Sequence, residues 1–311
     1  MKIWATVLEC NVMSTPAAKT PDYRGRFAPS PTGPLHFGSL VAALGSWLHA
    51  RVRGGEWWVR IEDVDTTREV TGAAVLQLDA LKRFGLHWDG EVIRQSDRDT
   101  AYHAALDDLL ARGLAFECHC SRSDLASTAG IHRACLASGQ REQPALRLRV
   151  PDDTRVDVTD AVHGKLSQQL DREVGDFVIK RADGCWAYQL AVVVDDAAQG
   201  MTDVVRGADL LESTPRQVFL QRVLGLPTPR YAHLPLMLDE EGRKLSKSLR
   251  ALPLDADDPL PALRAAWQAL GQDADVVTDA RDVDAFLQRA LLAFDDARLP
   301  RNPQSSPHRT T

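Results

Sequence analysis

The sequence predicts an α/β protein built on a doubly wound parallel sheet, with a small cysteine-bearing β insertion and a short helical part near the C-terminal end. Three observations predict it. Strand-like apolar runs alternate with amphipathic helical runs from residue 24 to about 120, and glycines close the helical runs. The alternation then resumes after residue 173, once a stretch of different character at 145–170 has passed. Strands separated by helices pair in parallel, because each helix carries the chain back to the edge it left.

The elements follow in chain order. "RFAPSPTGPLHFGSL" (26–40) sets three prolines and a glycine before a helix predicted over 35–53. Leu40, Val41, Leu44, Trp47 and Leu48 share one face of that helix, and Gly54-Gly55 stops it. "EWWVRIED" reads as a short buried strand. A second helix over 71–84 turns Val75, Leu78 and Leu81 inward and ends at Gly85; a third, from about 97 to 112, turns Tyr102, Leu106, Leu109 and Leu110 inward and ends at Gly113. "LAFECHC" is a further strand, and 145–170 alternates apolar and polar residues as a small β insertion does. "DFVIK", "AYQLAVVVDDAAQG" and "DVVRGADLLESTPRQVFLQRVLG" return to strand and helix, and from about 255 the chain is helical around Leu263, Trp267 and Leu270, then around Phe286, Leu287 and Leu291.

The expected organisation is a disordered leader (1–22, with Met13 an alternative start), a first sheet half (23–114), the insertion (115–172), a second half (173–250), a helical segment (251–298) and a disordered tail (299–311). No apolar run approaches the ~20 residues that span a bilayer, and the N-terminal run is too short for a signal peptide. The reading is therefore a cytoplasmic chain that uses no membrane; oligomeric state stays open, with a monomer expected because nothing suggests an obligate interface. A net charge of −6 argues against a protein that coats nucleic acid, but leaves room for a local basic groove. Five cysteines in such a compartment read as thiols or metal ligands rather than disulfides.

Two motifs carry chemistry. In the first, a proline-rich turn feeds a helix N-terminus, where unpaired backbone N–H groups and the helix dipole favour an anion. His36, in the first turn, can donate to a phosphate oxygen, and Gly38 lets a base or ribose approach the backbone. The plain alternative is a capped helix with a surface histidine. The second motif is "GRKLSKSLR" (242–250), in which Lys244 and Lys247 flank two serines. A mobile basic loop of this kind can grip a departing polyphosphate, or it can be a solvated charged turn. A third cluster, Cys118-His119-Cys120 with His132 and Cys135, can close a tetrahedral zinc site; its alternative is a set of reduced, buried thiols.

The first two motifs, 208 residues apart from His36 to Lys244, together resemble the signatures of the class I aminoacyl-tRNA synthetases, whose catalytic domain is a Rossmann-type sheet. "VRIEDVD", "AYQLAVVVDDAAQGMTDVVRGADLLESTPRQ" and "HLPLMLDEEGRKLSKS" narrow the likeness to the glutamyl-tRNA synthetases over roughly residues 24–250. Two departures stand out. The helix motif reads HFGS where that family ideally ends in histidine, which removes that role or moves it to Ser39. The 61 residues after Arg250 are also too few for the long anticodon-binding region of a glutamyl-tRNA synthetase. Both departures make the chain similar to the glutamyl-queuosine tRNA(Asp) synthetases, which join glutamate to the queuosine base in the anticodon of that tRNA.

The resemblance implies ATP with Mg²⁺ and L-glutamate as substrates and queuosine-bearing tRNA(Asp) as acceptor. It implies that His36, Gly38, Ser39 and Lys247 bind ATP, with His36, Lys244 and Lys247 catalytic. A substrate with two carboxylates and an ammonium needs guanidinium forks and an acid. By family position these are Arg26, Arg206 and Glu62, together with Phe27, Ala28, Pro29, Ser30 and Tyr188. The bland alternative for Glu62, Asp63 and Asp65 is ion pairing with Arg60 or Arg68. For the cysteine cluster the resemblance favours one structural Zn²⁺ on Cys118, Cys120, His132 and Cys135, with His132 where the family carries a tyrosine. An extended backbone turns His119 the other way, and imidazole is the better zinc ligand. The alternatives to this reading are a truncated glutamyl-tRNA synthetase charging a tRNA 3′ end and an inactive RNA-binding paralogue.

Overall fold

A computed structural model describes residues 22–238, 254–302 and the pair 304–305. All of the expected leader but Asp22, most of the tail and the whole "GRKLSKSLR" loop, with Lys244 and Lys247, lie outside the described residues.

The first half runs β1 (Arg24–Phe27), α1 (Phe37–Arg51), β2 (Glu56–Ile61), α2 (Ala73–Arg83), β3 (Ile93–Arg94), α3 (Asp99–Ala111) and β4 (Ala115–Cys118). Next come β5 (Ala145–Leu148), β6 (Arg155–Asp160), β7 (Gly164–Gln169), α4 (Leu170–Glu173) and β8 (Phe177–Lys180). The second half is α5 (Tyr188–Ala198), β9 (Asp203–Gly207), α6 (Thr214–Leu224), β10 (Arg230–Leu234) and β11 (Met237–Leu238). The chain closes with α7 (Pro259–Ala269), α8 (Asp275–Thr278), α9 (Val283–Ala293) and β12 (Gln304–Ser305), the last pairing with β11.

β1, β2 and β3 pair in parallel, as do β9 with β10 and β10 with β6. The amide of Thr202 donates to the carbonyl of Arg24 at 2.9 Å, which sets β9 beside β1. The strand order is thus 3-2-1-9-10-6, with β7 antiparallel on the far edge. Strand addition reverses between β1 and β9, the switch point at which open α/β sheets hold ligands. The 145–170 stretch divides between two sheets: β5 joins β4 and β8 in an antiparallel sheet, while β6 and β7 extend the main one.

The predicted face of α1 is buried throughout, from Leu40 to Leu48. Two inward assignments are corrected. Val75 is 69% exposed, because α2 buries Ala74, Gln77 and Leu81, and Val75 stands a quarter-turn from that line. Leu110 is likewise exposed, at the edge of the α3 face formed by Tyr102, Leu106 and Leu109. Gly85 and Gly113 take φ of +70° and +67°, the left-handed conformation that ends both helices.

Candidate active site and metal centre

His36 is the N-cap of α1 rather than a member of its first turn, and its Nδ1 accepts from the amide of Ser39 at 3.2 Å. An accepting Nδ1 places the ring proton on Nε2. Phe37 and Gly38 supply first-turn amides, which have no acceptor within the helix. Beside them opens a cavity of about 430 Å³, lined by Phe27, Ala28, Pro29 and Ser30 on one side and by His36, Gly38 and Ser39 on the other. Gln77 fixes the first wall: its Nε2 donates to the carbonyls of Ser30 and Gly33 at 3.1 and 2.7 Å.

Arg26, Glu62 and Arg206, which are buried, and Tyr188, which is half-buried, come together in a polar cluster rather than on the cavity lining. Arg26 forms a two-pronged ion pair with Asp196, at 2.9 and 3.2 Å. Arg60 reaches both Asp196 (2.8 Å) and Glu62 (3.1 Å), so the ion-pair alternative holds for one oxygen of Glu62. The same alternative holds for Asp65 with Arg68, whereas Asp63 accepts from Ser96 and pairs with Arg94 at 3.5 Å rather than with Arg60 or Arg68. Burial pushes the Glu62 carboxyl up despite Arg60 and Arg26. At Asp196 the two guanidiniums outweigh burial and hold the carboxyl below its ordinary range. Burial raises the Tyr188 phenol, which therefore stays protonated.

Arg206 differs from Arg26 in its partners. It is 5% exposed, and among the described residues its hydrogen bonds go to neutral groups: His233 Nε2 (3.0 Å), Tyr188 OH (3.2 Å), Thr214 Oγ1 (2.9 Å) and the carbonyl of Leu210 (3.3 Å). These account for four of its five donors, and the remaining one is on Nη1, beside Tyr188. Because Tyr188 OH accepts from Arg206, its own proton points onward. A phenol O–H and a guanidinium N–H thus lie side by side, which is a carboxylate-binding pattern.

At the cysteine cluster, the sulfurs of Cys118, Cys120 and Cys135 lie within 4.8 Å of one another, with Cys120 and Cys135 at 3.7 Å. His132 Nε2 is 3.3 Å from the Cys118 sulfur. Tetrahedral Zn²⁺ with thiolate ligands needs S···S near ~3.8 Å, so the three thiols fit the ion, while His132 stands against Cys118 alone, outside the set of mutually close donors. His132 is buried and held by a carboxylate. Its Nδ1 faces Asp176 Oδ2 at 3.0 Å, while Asp176 Oδ1 accepts from the Val150 amide at 2.8 Å. That is how metal-binding histidines are commonly oriented. His119 instead accepts from the Arg141 amide, away from the thiols. Cys185 stands apart from the cluster, and Cys10 lies outside the described residues.

Sequence reasoning passed over Gln77, Asp160, Asp176, Asp196, Thr214 and His233. Two of these left a signal. Asp195-Asp196 ends the otherwise apolar run "LAVVVDD", and both are buried; His233 stands in the apolar strand "YAHLPL" and is fully buried. The others act through contacts between distant segments, which spacing does not record.

Residues 22–257 match the family model described as tRNA synthetases class I (E and Q), catalytic domain. A protein of Xanthomonas oryzae pv. oryzae called glutamyl-Q tRNA(Asp) synthetase is 62% identical over 92% of this chain and 95% of its own length. A protein of the same name from Pseudomonas putida is 56% identical over 93% and 94%. Among solved structures, the glutamate-tRNA synthetase of Elizabethkingia anophelis superposes with a TM-score of 0.75 at 25% identity, covering 91% of this chain and 68% of that one. A glutamate tRNA ligase of Elizabethkingia meningosepticum, solved with its amino acid, shares the fold at a TM-score of 0.74 and 24% identity, covering 92% and 67%.

Proposed function

As the chain belongs to the class I tRNA synthetases of the glutamate and glutamine type, we propose that it activates L-glutamate with ATP and transfers the glutamyl group to the queuosine base of tRNA(Asp). The observation that carries the glutamate site is Arg206: a buried guanidinium whose partners among the described residues are neutral favours an anion at its remaining donor. Tyr188 adds a second donor there, and Glu62 is the acid for the substrate ammonium. Arg26, held by Asp196, contributes positive field from the other side. Phe27, Ala28, Pro29 and Ser30 form the wall against which the amino acid and ATP meet.

In the first step an oxygen of the glutamate α-carboxylate attacks the α-phosphorus of ATP, forming the acyl-phosphate bond and releasing pyrophosphate. In-line transfer of this kind is limited by positioning and charge. His36 Nε2–H, the first-turn amides and Ser39 hold the phosphates, and Gly38 keeps that wall low. Mg²⁺ arrives with the nucleotide, and Lys247 with Lys244 neutralises the leaving pyrophosphate. In the second step a hydroxyl of the modified base attacks the activated carbonyl and AMP departs.

Cys118, Cys120, His132 and Cys135 hold one Zn²⁺, which serves structure: it ties the end of β4 to the loop that follows. No helix among the described residues is long and apolar enough to cross a membrane. The test of the function is charging of tRNA(Asp) with labelled glutamate, with and without queuosine. Label is expected only on the queuosine-bearing form; equal labelling of both forms, or labelling of a glutamate tRNA, would overturn the reading.

A further inference from the structure

We propose that Asp160 and His233 are positioning residues that set the direction of Arg206 by fixing the proton of the intervening imidazole on Nδ1, and that they thereby set the affinity for glutamate. The inference rests on reading Arg206 as a glutamate-binding group.

The three residues lie in a row across adjacent strands. His233 on β10 is in register with Arg206 on β9, and Tyr231 on β10 is in register with Asp160 on β6. His233 is fully buried, with Asp160 Oδ2 2.6 Å from its Nδ1 and Arg206 Nε 3.0 Å from its Nε2. Arginine offers only donors, so Nε2 must accept and the proton must sit on Nδ1, where it donates to the carboxylate. Burial keeps the ring neutral even beside Asp160. Burial also opposes ionisation of Asp160, yet its bonds from His233 and from the amides of His163 and Val162 hold it below its ordinary range.

The purpose of the imidazole is clear from the contrast with Arg26. A carboxylate in direct contact takes up two donors of Arg26. At Arg206 the carboxylate is one ring away, so the guanidinium is aimed by a neutral acceptor, and its charge remains available on the edge facing Tyr188. Thr214 Oγ1 fixes that edge from the opposite side, and the Tyr231 ring lies under the guanidinium at 5.5 Å.

Asp160→Asn isolates the proposed effect. The Asn carbonyl can still accept from the Val162 and His163 amides, but its NH₂ then faces Nδ1. The ring proton moves to Nε2, where it opposes the Arg206 Nε–H. In glutamate-dependent ATP–pyrophosphate exchange, Asp160→Asn should raise the KM for glutamate roughly tenfold or more, the loss expected for a misdirected charged hydrogen bond, with the KM for ATP little changed. His233→Gln supplies a fixed carbonyl acceptor at the Nε2 position, so it should cost little. On that background Asp160→Asn should add almost nothing. Nitrogen NMR of His233 should show Nδ1–H in the parent and Nε2–H in Asp160→Asn.

An unchanged glutamate KM in Asp160→Asn, or an equal loss in both backgrounds, would overturn the inference. Arg206→Lys separates the two levels. If it leaves the glutamate KM unchanged, the reading of Arg206 fails and the inference with it; if it raises KM while Asp160→Asn does not, only the positioning role fails. Should Asp160→Asn not fold, His233→Leu removes the acceptor at similar volume and carries the same expected rise and the same overturning result.

Discussion

Gly38 shows how one residue can serve a site by what it lacks. A Cβ there would stand 3.2 Å from Cε1 and 3.3 Å from Nδ1 of His36, tighter than ordinary contact. The sequence suggested that glycine clears room for a nucleotide; the structure adds that it clears room for the imidazole that caps α1. Gly38→Ala should therefore push the His36 ring off Ser39 N while gaining up to about 1 kcal/mol of helix propensity. We expect the KM for ATP to rise several-fold with Tm unchanged or slightly higher; a fall in Tm with unaltered KM would contradict this. The start of α1 at His36 was legible because cap and first-turn amides are neighbours in sequence, although His36 caps the helix rather than standing in its first turn. Roles held at a distance were not legible: Asp160 lies 73 residues from His233, and Asp196 lies 170 residues from Arg26.

At the level of elements, periodicity located most helices and strands, because burial on one face imposes a repeat that a sequence displays. It could not say which sheet a strand joins. β5 and β6 read as one alternating stretch, yet β5 pairs with β4 and β8 while β6 pairs with β10 and β7. The cysteine centre depends on that arrangement. Gly175, just before β8, comes so close to His132 that a Cβ would lie 2.3 Å from its carbonyl oxygen, and the Asp176 amide donates to that same oxygen at 2.8 Å. The β8 side thus delivers His132 to the thiols at the end of β4. Metal analysis of the purified protein should find one zinc per chain, and Cys118→Ser should lose most of it, together with the thermal stability of this sheet. A Cys118→Ser protein that keeps a full equivalent of zinc would refute the assignment.

Across the whole molecule, α1 links the candidate ATP cavity to the C-terminal segment. Its N-terminus is capped by His36, and its other end buries His49 beneath Phe294 and Asp296. His49 is 4% exposed, with Arg53 Nη1 3.3 Å from its Nδ1 and Asp296 3.3 Å from its Nε2. Burial, aided by Arg53 and opposed by Asp296, lowers the ring from 6.5 to about 4. The sign follows from proton binding. Between pH 6.5 and 4 the unfolded chain protonates this histidine and the folded chain does not, so stability present above 6.5 is lost as pH falls towards 4. At pH 5 the loss from this one ring is about 2 kcal/mol. Urea unfolding at pH 7.5 and 5 should reveal it, and His49→Gln, which does not titrate, should shrink the difference by about that amount. An equal difference in both proteins would place the acid sensitivity elsewhere. Because the amides proposed to hold the phosphates lie at the other end of α1, acid loosening of the C-terminal contact should also raise the KM for ATP before the chain unfolds globally.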